Sequence, residues 1–517
     1  MSEEFLLSQG EGEQHSSALE ASGQVPRSLT FVNGLAIVLG LSIGSGIFSA
    51  PAAVRSDVSS TGLAMLVWVV GGIINVAGAA SFATLGRLVP LNGGFQEYLR
   101  LIYGNLFGFL AAWIWIFVSR PLAMAMVSLI FSEYLFRAIL TGQTVSMWIV
   151  KPIAILAVAA ITLINCLGTR MGTGAANVFL VIKVLGLSSI AVVGIAVYAS
   201  NANLANGSGP LNVGGGSNES PEISTSINGF VDAILAAAFA YGGWESLGFI
   251  AGEIKEAETT IPKILKAAMT FIIVVFLSAN FALYATLPEE LLKQTNAPAL
   301  DFGLKIFGRP GALFYTWIVC TCSLGSLNSV VLSTSRFTQA AGARQYLPPF
   351  LGTYKNATEQ GQISRSGFLV RYSPVNLLAG RQQKSDNIPR HVISNNFVFY
   401  RNAMMLNCVL ATGYILIGSF RQLLTFKVGM MEYIVYFVTI FGLLVLWRRS
   451  VVTPNGIRTG SIVAPLVFCC LVGLILLQYV VRHLVEFGLI LIYIALCCGL
   501  YYKAKWRRVD GPEGTAQ

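Results

Sequence analysis

The chain has 517 residues, 55% of them hydrophobic and only 11% charged, where a soluble chain carries about 25% charged residues. That composition excludes a water-soluble globular domain and describes a polytopic membrane protein. The net charge of +10 does not point to nucleic acid, because the basic residues fall between apolar runs and near the C-terminus (Arg448, Arg449, Lys503, Lys505, Arg507, Arg508), where they set membrane topology.

Residues 1–28 are serine-rich and acidic (Glu3, Glu4, Glu11, Glu13, Glu20). They lack the apolar core of a cleavable signal and are expected to form a disordered cytosolic tail. Twelve apolar runs then reach the roughly 20 residues that cross a bilayer: 31–55, 62–86, 105–134, 148–166, 175–199, 227–252, 264–287, 311–340, 402–419, 424–447, 460–481 and 484–502. The expectation is an all-α protein with a single transmembrane domain over 29–503, a cytosolic tail over 504–517 and both termini in the cytosol. Arg87, Arg100, Arg170, Lys255, Lys263, Arg344, Arg448, Arg449 and Arg458 then share the inner side, opposite fewer basic residues such as Arg55, Arg137 and Arg421. The plasma membrane is the expected compartment, with the vacuolar membrane as the alternative.

The loop at 200–226 carries two glycosylation sequons, Asn206-Gly207-Ser208 and Asn218-Glu219-Ser220, on the outer side by this count. Residues 351–400 are polar and far longer than an ordinary connection. They read as a cytosolic insertion or as translated intron sequence, since Phe397-Val398-Phe399-Tyr400-Arg401 is compatible with a splice acceptor. The eight cysteines show no CxxC spacing, and the three histidines, His15, His391 and His483, are isolated. Neither a metal site nor a cofactor is expected.

Two spans are interrupted in their middles, at Leu41-Ser42-Ile43-Gly44-Ser45-Gly46 and at Phe239-Ala240-Tyr241-Gly242-Gly243-Trp244-Glu245. Glycine costs a helix about 1 kcal/mol relative to alanine, and backbone freed inside hydrocarbon must find partners in protein or in a wet cavity. A pair of such breaks at corresponding places marks the substrate site of a transporter. At the first break, backbone N–H groups at a half-helix N-terminus suit a carboxylate. At the second, carbonyls at a half-helix C-terminus suit an ammonium. Together they describe an α-amino acid. The bland alternative is that the glycines serve helix packing alone.

These residues resemble the two broken helices of L-type amino acid transporters, in the amino acid–polyamine–organocation superfamily. Leu88-Val89-Pro90-Leu91-Asn92-Gly93-Gly94, Ile182-Lys183 and Ser326-Leu327-Asn328 through Ser335-Arg336 match as well. The likeness extends to fungal neutral amino-acid or methionine permeases. It implies a LeuT-type 5+5 inverted repeat with two further C-terminal helices and alternating access as an exchanger or a proton symporter. It places Ser42, Ile43, Gly44, Ser45 and Gly46, with Phe239, Ala240, Tyr241 and Gly242, around the substrate: Ser45 and Gly46 at the carboxylate, Phe239 as gate and Gly242 toward the ammonium. Tyr433 would line span 10.

Lys183 lies inside the apolar run Val178–Val193, where a charge costs about 3 kcal/mol and is functional by default. The alternative is a lysine snorkelling to the interface. In related sodium-independent transporters the matching lysine stands in for sodium, which implies that it props the first break against span 8, with Ser333 and Ser335 as partners and proton coupling as a consequence. Glu245 departs from the family's Asn or Asp and offers a selectivity residue for cationic substrates. It is expected to face the cytosolic half, which favours a large neutral or sulfur-containing substrate. Arg120 calls for a carboxylate that the sequence does not name. The span 3–4 loop has no cysteine, so no disulfide to a heavy chain is expected there. A membrane-embedded enzyme would need a His or Asp/Glu cluster, and an ATPase would need a GxxxxGK[ST] motif; neither is found. A channel is the remaining class.

Overall fold

The computed structural model describes residues 27–140, 146–202, 227–347, 401–418, 432–448 and 461–509, apart from 28, 168 and 296. Residues 1–26, most of the sequon-bearing loop and the 351–400 segment lie outside the described residues. Among those described there is no strand, only an isolated bridge between Leu29 and Ile254.

The elements in order are α1 (Phe31–Ser42), α2 (Gly46–Asp57), α3 (Thr61–Leu88), α4 (Phe95–Tyr103), α5 (Asn105–Ile139), α6 (Met147–Leu167), α7 (Thr169–Ala202) and α8 (Ile227–Ala240). A ten-residue 3-10 helix (Trp244–Glu253) follows, then α9 (Ala257–Thr286), α10 (Glu289–Gln294), α11 (Pro298–Ala343), α12 (Arg401–Ile417), α13 (Tyr433–Arg448), α14 (Val463–Arg482) and α15 (Leu484–Val509). Eight of the described helical segments are long and apolar enough to cross a membrane, and the pair α1–α2, bent by 42°, makes a ninth. Three shorter apolar helices, Arg401–Ile417, Tyr433–Arg448 and Phe487–Lys503, occupy the remaining expected spans. The chain is an integral, multi-pass, all-helical membrane protein. The last helix continues to Val509, through the first residues of the expected 504–517 tail.

The helix ends follow local chemistry. Ser60 caps α3 by accepting from Leu63 N (3.2 Å), and Pro90 cannot prolong it. In α7, Val178, Val181, Leu185 and Val192 are exposed while Lys183 is buried. The apolar side thus meets lipid and the charge faces protein. The long α5 is almost wholly buried and forms the centre of the bundle. Its Trp115–Ser119 turn is a π-helix, in which Arg120 N bonds Trp115 O. Pro121 explains it: proline has no N–H and clashes with the carbonyl four residues back, so the helix takes a residue of slack.

Candidate functional site

At the first break the helix ladder is redirected. Gly44 N–H, which in an unbroken helix would reach the Gly40 carbonyl, bonds Ser42 O instead (2.8 Å). The orphaned Gly40 carbonyl accepts from Lys183 Nζ (2.7 Å), which also donates to Ser326 Oγ (2.8 Å). The ammonium therefore sits at the negative end of α1, where a cation is favoured. Ser326 lies on α11, so Lys183 does tie the first break to span 8. Its partner differs from the expected ones: Ser333 and Ser335 return their hydroxyls to Val330 O and Leu332 O on their own helix. Lys183 is only 1% exposed, which rules out snorkelling.

The second break repeats the pattern. Gly242 N–H turns to Phe239 O (3.2 Å) rather than to the Ala238 carbonyl. That carbonyl accepts from Asn75 Nδ2 (3.4 Å), which also donates to Gly71 O (2.8 Å). Asn75 Oδ1 in turn accepts from Trp244 Nε1 (2.8 Å) and the Tyr433 hydroxyl (3.4 Å). Trp244 is held edge-on by Phe82 (4.9 Å) and packs on Tyr436. Asn75 is a lone amide in the apolar run 62–86, the kind of polar residue that marks function inside a membrane, and that is the signal by which the sequence could have named it.

The two breaks touch. Gly243 has φ +109°, and a Cβ there would lie 2.8 Å from Ser42 N and 2.9 Å from Ser42 Oγ, so only glycine fits. A Cβ on Gly46 would lie 2.9 Å from Phe239 Cε1 and 3.5 Å from Ala240 Cα. Gly44, Phe239, Gly242 and Gly243 keep partial access, whereas Ile43, Ser45, Gly46 and Ala240 are buried. The hydroxyls of Ser42 and Ser45 are buried without a partner in the structure. Ser45 is the N-cap of α2 and makes no side-chain cap bond; Phe48 N–H returns to Ser45 O (3.1 Å), and the N–H groups of the first helical residues have no carbonyl partner within the helix. The start of α2 therefore lies against the Phe239 ring and the glycine-rich backbone turn that follows it.

Two of the expected lining residues have their rings packed among other aromatic side chains. Tyr241 is fully buried, with its ring against Trp68 (5.7 Å) and Phe276 (5.1 Å) on the side of α3 and α9. Tyr433 stands behind Trp244, bonded to Asn75 and edge-on to Tyr436. Glu245 does not face the cytosolic half as a lone carboxylate. It is 3% exposed, accepts from Arg120 Nη2 (2.8 Å) and, with its other oxygen, from Gly243 N (2.9 Å). Arg120 thus has its carboxylate. Among the described residues, no group of three or more His, Cys, Asp or Glu is placed to hold a metal ion.

Residues 29–500 match the amino acid permease family. The chain belongs to it. This permease is 29% identical over 350 residues to the large neutral amino acids transporter small subunit 2 of Homo sapiens, 66% of the present chain and 63% of that protein. Against the Mus musculus protein of the same name it is 27% identical over 447 residues, 86% and 74% of the two chains. Against the Asc-type amino acid transporter 1 of Mus musculus it is 25% identical over 429 residues, 82% and 71%. The match to the human relative thus spans a little under two thirds of that protein's length. The family is one of transporters rather than enzymes, which removes the enzyme class.

Proposed function

We propose that this permease is a sodium-independent secondary transporter of neutral α-amino acids that works by alternating access. The observation that carries the reading is the contact between the two breaks, Gly243 against Ser42 and Gly46 against Phe239. A substrate carboxylate would sit at the start of α2 and its ammonium at the C-terminal end of α8, with complementary ends of two helix dipoles on either side. The names of the relatives, two of them large neutral amino acids transporters, point the same way.

Lys183 supports sodium independence, since it fills the cation position at the end of α1 with a fixed ammonium. Glu245 supports a neutral substrate. Its two oxygens are committed to Arg120 and Gly243 N, and a cationic side chain would have to displace one of them. The placement of the breaks in the first and sixth spans fits a 5+5 inverted repeat. The expected setting is the plasma membrane with both termini cytosolic and no disulfide partner through the span 3–4 loop.

Purified protein in liposomes should take up labelled leucine or methionine from sodium-free buffer. Excess unlabelled neutral amino acids should compete, and excess arginine should not. Strong competition by arginine that disappears in Glu245→Gln would make the protein a cationic amino-acid carrier.

A further inference from the structure

We propose that Arg120 is a positioning residue for the second helix break: through Glu245 it fixes the backbone turn at Gly243, and with it the spacing between the two breaks. The inference rests on the reading that these breaks hold substrate. It concerns a residue of span 3 that reaches the second break through the Glu245 side chain rather than by bonding the backbone of the turn.

The chain of contacts is short and buried. Arg120 Nη2 donates to Glu245 Oε1 at 2.8 Å, and Gly243 N–H donates to Glu245 Oε2 at 2.9 Å. Arg120 is 4% and Glu245 3% exposed. A carboxylate with one oxygen on a guanidinium and the other on a backbone amide is a rigid spacer, because charge-assisted bonds are short and directional. At its far end Gly243 adopts φ +109° with no room for a Cβ against Ser42 N. Any displacement of Glu245 therefore reaches the first break by direct contact.

The guanidinium is located independently of the carboxylate. Its carbon lies 4.4 Å over the Trp115 ring and 5.5 Å from Phe249, within cation–π range of both. Trp115 opens the π turn whose slack brings Arg120 to its place in α5. A buried ion pair is weak evidence for stability, since well-packed apolar residues often serve as well. What apolar residues could not do is accept the Gly243 amide. The geometry thus favours registration of the turn over stabilisation of the bundle.

The test uses purified protein in liposomes and two variants. Arg120→Met with Glu245→Gln removes both charges together, so neither is left buried alone. Arg120→Glu with Glu245→Arg keeps an ion pair but puts a donor where Gly243 needs an acceptor. Two quantities are read: amide hydrogen exchange across residues 239–247, and the KM and maximal rate of labelled leucine uptake. In both variants exchange should quicken and KM should rise about tenfold, the equivalent of one net hydrogen bond, with the maximal rate falling less. If the swapped pair restores wild-type exchange and KM, charge balance alone is at work and the inference fails. Wild-type exchange in the neutral double variant overturns it too. Should wild-type protein take up no leucine, the proposed function falls, and the exchange data still decide the role of Arg120.

Discussion

Lys183→Met isolates the ammonium at the first break. Methionine keeps an unbranched apolar stem of similar length and removes both donated bonds, to Gly40 O (2.7 Å) and to Ser326 Oγ (2.8 Å). Ser326 retains a partner, because its hydroxyl also donates to Cys322 O (2.9 Å). The Gly40 carbonyl is then the group left without a partner, since the N–H four residues on is turned to Ser42 O. A hydrogen bond to a charged group is worth about 1.5–3 kcal/mol. If that falls on the bent arrangement that receives substrate, affinity weakens about 10–150-fold, at about 1.4 kcal/mol per decade. The assay is the KM for labelled leucine in liposomes in sodium-free buffer, beside wild-type protein. Adding sodium should leave the wild-type rate unchanged. An unchanged KM in Lys183→Met, or a steep sodium dependence of the wild type, would refute the reasoning.

Gly46→Leu should abolish uptake while the protein still reaches the membrane and elutes as a single species, because a Cβ already meets Phe239 at 2.9 Å and the remaining carbons would fill the approach to α2. Gly46→Ala should retain part of the rate, since Phe239 is half-buried and can yield; full uptake by the leucine variant would mean that the break serves packing alone. Beyond the end of α2, Arg55 holds Glu289, and Lys293 holds it as well. Burial works against the Glu289 charge, yet the two cations win and keep its carboxyl below the usual carboxylate range. A lowered folded-state value adds stability that is present above the unfolded value and lost as pH falls through the folded one. Melting temperature should therefore drop on acidification through the carboxylate range by less in Glu289→Gln than in wild type, and an identical drop in both would show that the bridge contributes nothing.

The spans were legible because a bilayer demands about 20 apolar residues, and both breaks were legible because glycine and serine are poor choices there. What the sequence did not yield is relative height between helices. Ser326 and Ser333 lie seven residues apart, two turns up one face of α11, and so about 10 Å apart along its axis. The sequence marks that face as facing Lys183, but only packing decides which turn lies level with it. Arg120 stayed without a partner for a related reason. Its direction depends on the π turn at Trp115–Ser119, which shifts the helical phase by about 100°. The direction of the Tyr241 ring, toward Trp68 and Phe276, is not legible either, because a break in the backbone frees the next side chain from the helical period.

The ten residues Trp244–Glu253 are wound as a 3-10 helix, a form seldom kept beyond three or four residues. At about 2.0 Å per residue that coil measures about 20 Å, whereas the same residues as an α-helix would measure about 15 Å. The segment is a spring drawn out by about 5 Å. One end is moored at Gly243 by Glu245, and the other at Leu29, which donates to Glu253 O and accepts from Lys255 N. With both ends tied in this way, the ten residues bridge a gap that an α-helix of the same length would leave about 5 Å short.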